Sequence, residues 1–519
     1  MPTHSSSRTE TQFWKVCFMR SNLCAKLWLI SLATSLPAMA QEEAPKRELP
    51  RLGMAPGEPQ VPSARPSVPF GIPPSVSKDN VLDMHGYLLL PMRIGILKRD
   101  NPNPGQTSTA LHAPPLIPQD LHAFEYTGVV PNPFVQLNFT YGNQVVAGTV
   151  VLAAETLQDA DGIYDPPRQL GVNDAFISVN LSEPAGLPLE IKLGALTGRY
   201  GAMGAYDAGR YATPLIARTN LIGETVAAAF DFDQISLVLE QGIGGQIGRP
   251  PDGLVSAGWN DFADPDVGAS FVNHLHGGLN YQDLAQFGVH YFTAWSQDDR
   301  VRDGLVPDGR ISVYGADIRL TADRFGHLYA GVARTDLTNA ASVAGVIEVL
   351  NARGGPEIIK EYLGPQSHGD GALTTFGVQY DLSTSRMIYG DLFEGTSPDV
   401  RISLYGVGTQ VASKDPDYDD VLKLKVGSEF TYSMLSWLAL SARFDHVRLD
   451  MDNDRAAFSI LSPRILFHTD WQSRDEFALQ YSRFNYGTDV LVKTGYPPTP
   501  DPSANPDENV FSVSGTFWW

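Results

Sequence analysis

Three arginines, an aspartate and three tyrosines crowd residues 198–223 (GRYGAMGAYDAGRYATPLIARTNLIG). They are Arg199, Arg210 and Arg218, Asp207, and Tyr200, Tyr206 and Tyr211. Opposed guanidinium and carboxylate groups in a narrow aqueous passage set up a transverse field, which orders water and sorts solutes by charge. Tyrosine faces beside them offer a stacking surface for sugar rings. The same side chains would equally pin a loop to a wall. The chemistry on offer is recognition and passage, or plain structure. Bond-making has no comparable signal: the chain holds no G-x-S-x-G, no H-E-x-x-H and no nucleotide-binding loop.

A second group of charges lies on alternating segments, in phase with one another: His85, Arg93, Asp317, Arg319, Lys423, Lys425, Glu429, Arg443 and Asp445. Both signs occur, so a wall lined by them is wet without overwhelming selectivity, or is stiffened by cross-strand ion pairs. His85, His290 and His468 share this phase but come from distant segments without ligand spacing, so neither a metal site nor a cofactor is expected. The run from Asp450 through Asp452 to Asp454 begins like a calcium loop. It lacks the glycine at position six and has Leu461 where a glutamate belongs. Asp415, Asp417, Asp419 and Asp420 form another acidic run.

The elements that must position these groups are strands. Leu82, Met84, Gly86, Leu88, Leu90, Met92, Ile94 and Ile96 share one face, and Asp83, His85, Tyr87 and Arg93 the other. Apolar-out and polar-in alternation marks a lipid-facing strand around a wet lumen. Eight hairpins follow. They pair 134–141 with 145–157, 174–181 with 189–197, 225–232 with 235–243, and 270–281 with 285–295. The series continues with 311–321 and 327–335, 373–382 and 386–393, 422–432 and 437–449, and 465–471 and 477–486. With a first and a last strand the total is about eighteen, or sixteen. The expected fold is all-β: a transmembrane antiparallel barrel with short periplasmic turns. Long connections, among them 198–223, 336–371 and 394–420, fall together on the extracellular side.

Residues 1–40 read as a secretory signal peptide: basic Arg20 and Lys26, a short apolar stretch at 27–36, and Ala38-Met39-Ala40 as a cleavage site. Both cysteines, Cys17 and Cys24, lie inside it, so no disulfide framework is expected beyond it. Residues 41–79 form a Pro-rich periplasmic extension expected to lack a core, and 80–519 the barrel. Lys and Arg total 38 against 58 Asp and Glu, a formal charge of −20. That balance argues against nucleic acid, which rewards a basic face.

The final strand puts Phe511, Val513, Phe517 and Trp519 on one face and ends on an aromatic. It resembles the C-terminal assembly signal of bacterial outer-membrane barrels. The opening Leu82-Asp83-Met84-His85-Gly86-Tyr87, the terminal Trp518-Trp519 and the strand count together resemble the maltoporin group of sugar porins. The resemblance implies an outer-membrane porin, a homotrimer, that passes small hydrophilic solutes such as saccharides. It also implies contact with outer-membrane lipid, lipopolysaccharide and the β-barrel assembly machinery. In the general and sugar porins the loop after the fifth strand narrows the pore, and 198–223 matches it in position and length. The alternatives are a structural or adhesive barrel with an occluded lumen, and a barrel enzyme.

Overall fold

The computed structural model describes residues 79–97, 135–154, 171–200, 217–246, 269–297 except 283, 309–339, 347–348, 363–389 except 368, 398–468, 475–487 and 508–518. Eighteen long strands follow the alternation. The first eleven are β1 (Val81–Leu97), β2 (Val135–Gly142), β3 (Val146–Ala154), β4 (Gly171–Asn180), β5 (Leu189–Tyr200), β6 (Ala217–Phe232), β7 (Ile235–Gln246), β8 (Ala269–Tyr281), β9 (Ala285–Gln297), β10 (Arg310–Thr321) and β11 (His327–Thr338). The remainder are β12 (Gly371–Ser383), β13 (Asp399–Ser413), β14 (Leu422–Leu435), β15 (Leu438–Arg448), β16 (Ala457–His468), β17 (Glu476–Tyr486) and β18 (Glu508–Trp518).

Each strand pairs antiparallel with its sequence neighbours. β1 and β18 pair with each other from Tyr87↔Trp518 to Leu97↔Asn509, so the sheet closes on itself. One further two-residue strand, Ile347–Glu348, pairs with Thr219 and Arg218 of β6, beyond Ile222, where the pairing of β6 with β7 stops.

Period-two alternation decides which face each residue takes. Leu82, Met84, Ile177, Leu193, Leu275, Phe287, Val332, Phe376, Phe430 and Leu461 are exposed, and the register places all of them on the outer face. Phe511, Val513 and Phe517 of β18 share that face, while Ser512 is buried on the inner one. Trp519 lies outside the described residues. A closed antiparallel barrel with an apolar outer belt is the architecture of a bacterial outer-membrane protein, because no backbone donor or acceptor is left facing lipid. This chain is such a barrel.

Two expectations about elements are corrected. Of the segment 386–393, residues 386–389 belong to a short helix, Thr384–Tyr389, and not to a strand, while 390–393 lie outside the described residues; β12 pairs instead with β13. The cause is Asp399, buried at the start of β13. Its carboxylate accepts hydrogen bonds from the Ser385 amide (2.8 Å), the Ser383 hydroxyl (2.8 Å) and the Thr384 hydroxyl (2.9 Å). Capping of this kind favours a helical turn over an extended chain. The expected connection 394–420 is therefore mostly β13. Likewise β5 runs through Tyr200 and β6 begins at Ala217, so 201–216 is all that remains between them.

At the opposite end of the barrel, where the β12–β13 connection with its helix also lies, tight turns join several strand pairs. Two residues join β6 to β7, with Asp233 at φ 53. Between β10 and β11, Gly326 adopts φ 86, and a Cβ there would lie 2.0 Å from the Asp381 carbonyl oxygen. Gly326→Ala should therefore combine left-handed strain with a steric clash against β12, costing on the order of 1–3 kcal/mol. Urea unfolding of the refolded barrel in lipid vesicles checks this, and an unchanged midpoint would mean the turn relaxes without cost.

Candidate functional site: the charged inner wall

The face opposite the lipid belt carries the chemistry. Asp317, Arg319, Lys423, Lys425, Glu429, Arg443 and Asp445 all lie on it and are buried. His85 lies on the same face, exposed, with its Nδ1 2.8 Å from the Asp83 carboxylate. Arg93 pairs with Ser512 across the β1–β18 closure. His468, at the end of β16, bonds through Nδ1 to the Asp475 carbonyl oxygen at 3.1 Å.

Charges on the wall are sorted by position. Along β4–β10, Asp174, Glu190, Asp231, Glu240 and Asp317 accompany only Lys192 and Arg319 among the described residues. Along β13–β16, Arg401, Lys423, Lys425, Arg443 and Arg464 accompany Asp399, Glu429 and Asp445. Strands β5 and β14 are nine apart in either direction round an eighteen-stranded ring. The β4–β7 part of the acidic arc, with Asp174, Glu190, Asp231 and Glu240, therefore faces the basic arc across the lumen, while β10 with Asp317 and Arg319 lies opposite β1.

The basic arc is the more tightly organised. Arg443 clasps the Asp445 carboxylate through Nε and an η nitrogen, both at 2.8 Å. The Tyr405 hydroxyl donates to the same carboxylate. Tyr405, Gly427 and Asp445 are aligned across three strands. A Cβ on Gly427 would lie 2.4 Å from the Tyr405 hydroxyl oxygen, so the glycine makes room for that ring. The Lys425 ammonium stands 5.7 Å from the ring centroid and the Arg443 guanidinium 5.8 Å, within cation–π range. Arg464 and Glu429 form an ion pair at 2.6 Å with side chains 3% and 8% exposed. The Ser441 hydroxyl also donates to Glu429, at 3.1 Å.

The acidic arc contains a histidine cluster that motif reading did not isolate. His274 Nε2 lies 2.9 Å from Glu240 Oε1, His276 Nδ1 lies 2.8 Å from His290 Nδ1, and His290 Nε2 lies 2.8 Å from Asp317 Oδ2. The spacing His274-x-His276 puts both rings on one strand face. Equal steps back from the β8–β9 turn bring His276 opposite His290.

Of the seven expected constriction residues, three fall on strands. Tyr206, Asp207, Arg210 and Tyr211 lie outside the described residues. Arg199 and Arg218 belong to β5 and β6 and pair directly with each other, while Tyr200 pairs with Ala217.

The acidic runs serve turns. Asp415 is buried and accepts from the Gln366 amide at 2.9 Å and the Asp417 amide at 3.2 Å. Asp419 accepts from the Ser413 amide, Asp450 from the Asp452 amide, and Asp454 pairs with Arg448. Among the described residues no group of three or more His, Cys, Asp or Glu side chains is arranged around a metal position.

No protein family and no curated protein matches the sequence. Solved structures do resemble the chain. OccD3 of Pseudomonas aeruginosa has a TM-score of 0.41 and 10% identity, over 90% of this chain and 99% of its own. The outer-membrane channel DcaP of Acinetobacter baumannii gives 0.39 and 9%, over 86% and 100%. OmpT, an outer-membrane protein of Vibrio cholerae, gives 0.37 and 11%, over 86% and 99%. At these scores the likenesses do not bear on function.

Removing one partner of a buried ion pair strands the other charge. Arg464→Met should lower stability by about 3 kcal/mol, and the double substitution Arg464→Met with Glu429→Leu should recover most of it. Urea midpoints of the three proteins in the same lipid check this. A single variant as stable as the parent would show that solvation, and not Arg464, stabilises the Glu429 carboxylate.

Proposed function

We propose that this barrel is a passive diffusion channel for small hydrophilic solutes, with saccharides among the candidates. The observation that carries the reading is the placement of opposed acidic and basic arcs on diametrically facing strands. A lumen so lined carries a transverse field, which favours solutes able to trade hydration for hydrogen bonds at either wall. The solute gradient supplies the driving force, and the protein supplies width, field and polar contacts.

In this reading the filtering role belongs to the wall first. Residues 201–216, with Tyr206, Asp207, Arg210 and Tyr211, add to it if they fold inward, as the likeness to porins in loop position suggests. Residues 1–40 act as an export leader and 41–79 as a periplasmic extension. The mature chain inserts through the β-barrel assembly machinery by its terminal strand, trimerises, and contacts lipopolysaccharide at its outer rim.

A second reading is favoured by a specific feature. Val272, Phe292, Ala294, Ile311 and Val313 share the inner face of β8–β10 with His274, His290 and Asp317, yet have no solvent exposure. Apolar side chains wholly shielded on a lumen wall suit a barrel occluded on that side, whose function lies in its surface loops.

Single-channel recording of the folded protein in a planar bilayer separates the two. Ohmic steps are expected, with partial block by maltooligosaccharides if saccharides are the solutes. Reversing the basic arc with Lys423→Glu and Lys425→Glu should shift the zero-current potential in a salt gradient toward cation preference. Silence from protein shown to be folded would remove the channel reading and leave the occluded barrel.

A further inference from the structure

We infer that His276 and His290 form a site on the inner wall for a divalent transition-metal ion of the zinc and copper class, with Asp317 as the carboxylate that orients it. The two imidazoles come from directly paired positions on β8 and β9. Their rings stack with centroids 4.6 Å apart and planes 18° from parallel, and their Nδ1 atoms approach to 2.8 Å. Holding an ion at the imidazole–zinc distance of about 2.0–2.1 Å needs those nitrogens to part by about half an ångström and the His276 ring to turn so that both lone pairs meet the ion.

Protonation logic fixes the donor atoms. Asp317 accepts through its carboxylate, so the hydrogen of His290 sits on Nε2, 2.8 Å away, and the lone pair of Nδ1 faces His276. Two nitrogens then share a single proton between them. A metal ion in its place binds both lone pairs, while the proton of His276 moves from Nδ1 to Nε2. The carboxylate on the far nitrogen of His290 is the usual outer partner of a metal-bound histidine, fixing its tautomer and raising its basicity.

The surrounding wall is shaped to these rings. A Cβ at Gly288 would lie 2.6 Å from Asp317 Oδ1 and 2.8 Å from His290 Nε2, so only glycine leaves the pair its space. On the other side a Cβ at Gly242 would lie 2.2 Å from the His274 ring, which Glu240 holds. Glu240 and Asp317 bring two carboxylates to offset a dication. His290 is buried, whereas His276 is only half-buried and is the ring an ion from the lumen meets first.

With two protein nitrogens, solvent fills the remaining coordination positions. Such a site exchanges its ion instead of locking it in place, and nitrogen donors select against magnesium and calcium. The inference concerns binding and does not depend on whether the lumen conducts.

The test is calorimetric titration of Zn2+ into the purified barrel in detergent, with Mg2+ as the control ion. Saturation near one zinc per chain is expected, with no uptake of Mg2+. His276→Ala and His290→Ala should each weaken binding at least tenfold. Asp317→Asn should weaken it by about 10–100-fold through the oriented ring. His446→Ala, whose ring bonds Ser459 at 2.8 Å on the outer face, should bind as the parent does. Strand circular dichroism confirms that each variant is folded, and His276→Gln replaces His276→Ala if that variant is not. Absence of zinc binding by the folded parent would overturn the proposal. So would undiminished binding by folded His276 and His290 variants.

Discussion

Everything in this molecule depends on the requirement that no backbone amide or carbonyl be left unpaired in hydrocarbon. A helix meets it within one segment; a sheet meets it only by closing. The pairing of β1 with β18 is that closure, and it joins chain segments more than four hundred residues apart. Once the ring is closed, freedom in side-chain placement is largely gone. Each strand has one face toward lipid and one toward the lumen, and a slip of one residue would exchange them. The greasy outer belt and the charged inner wall are two consequences of a single register.

The wall meets a second constraint, that charges taken from water need partners. Long side chains lie along the sheet instead of reaching into the lumen. Arg443 folds back on Asp445, two residues along its own strand, and Tyr405 lies across Gly427 to reach the same carboxylate. Cross-strand glycines recur beneath such rings because a Cβ would occupy their place. The resulting surface is charged but orderly, and its sign differs between the two sides of the ring.

Much of the fold was legible because alternation is a local property. The eighteen strands follow from it, except where local capping intervened. Residues 386–393 contain enough apolar side chains to pass for a strand, but the turn there is set by Asp399, which the chain presents some ten residues later. The true partner, β13, does alternate through Val400, Ile402 and Leu404, then weakens over Gly406 and Gly408. Individual wall charges were visible by phase. Their grouping was not, because it depends on which strands face each other round the ring. The histidine cluster required one further step, counting outward from the β8–β9 turn to see that His276 meets His290.

The short strand Ile347–Glu348 brings an element from the connection after β11 to the edge of β6, five strands away round the ring. Beyond Ile222, where β7 leaves β6, those two residues take the place of β7, so a strand edge that its sequence neighbours leave open is covered by a segment from far along the chain.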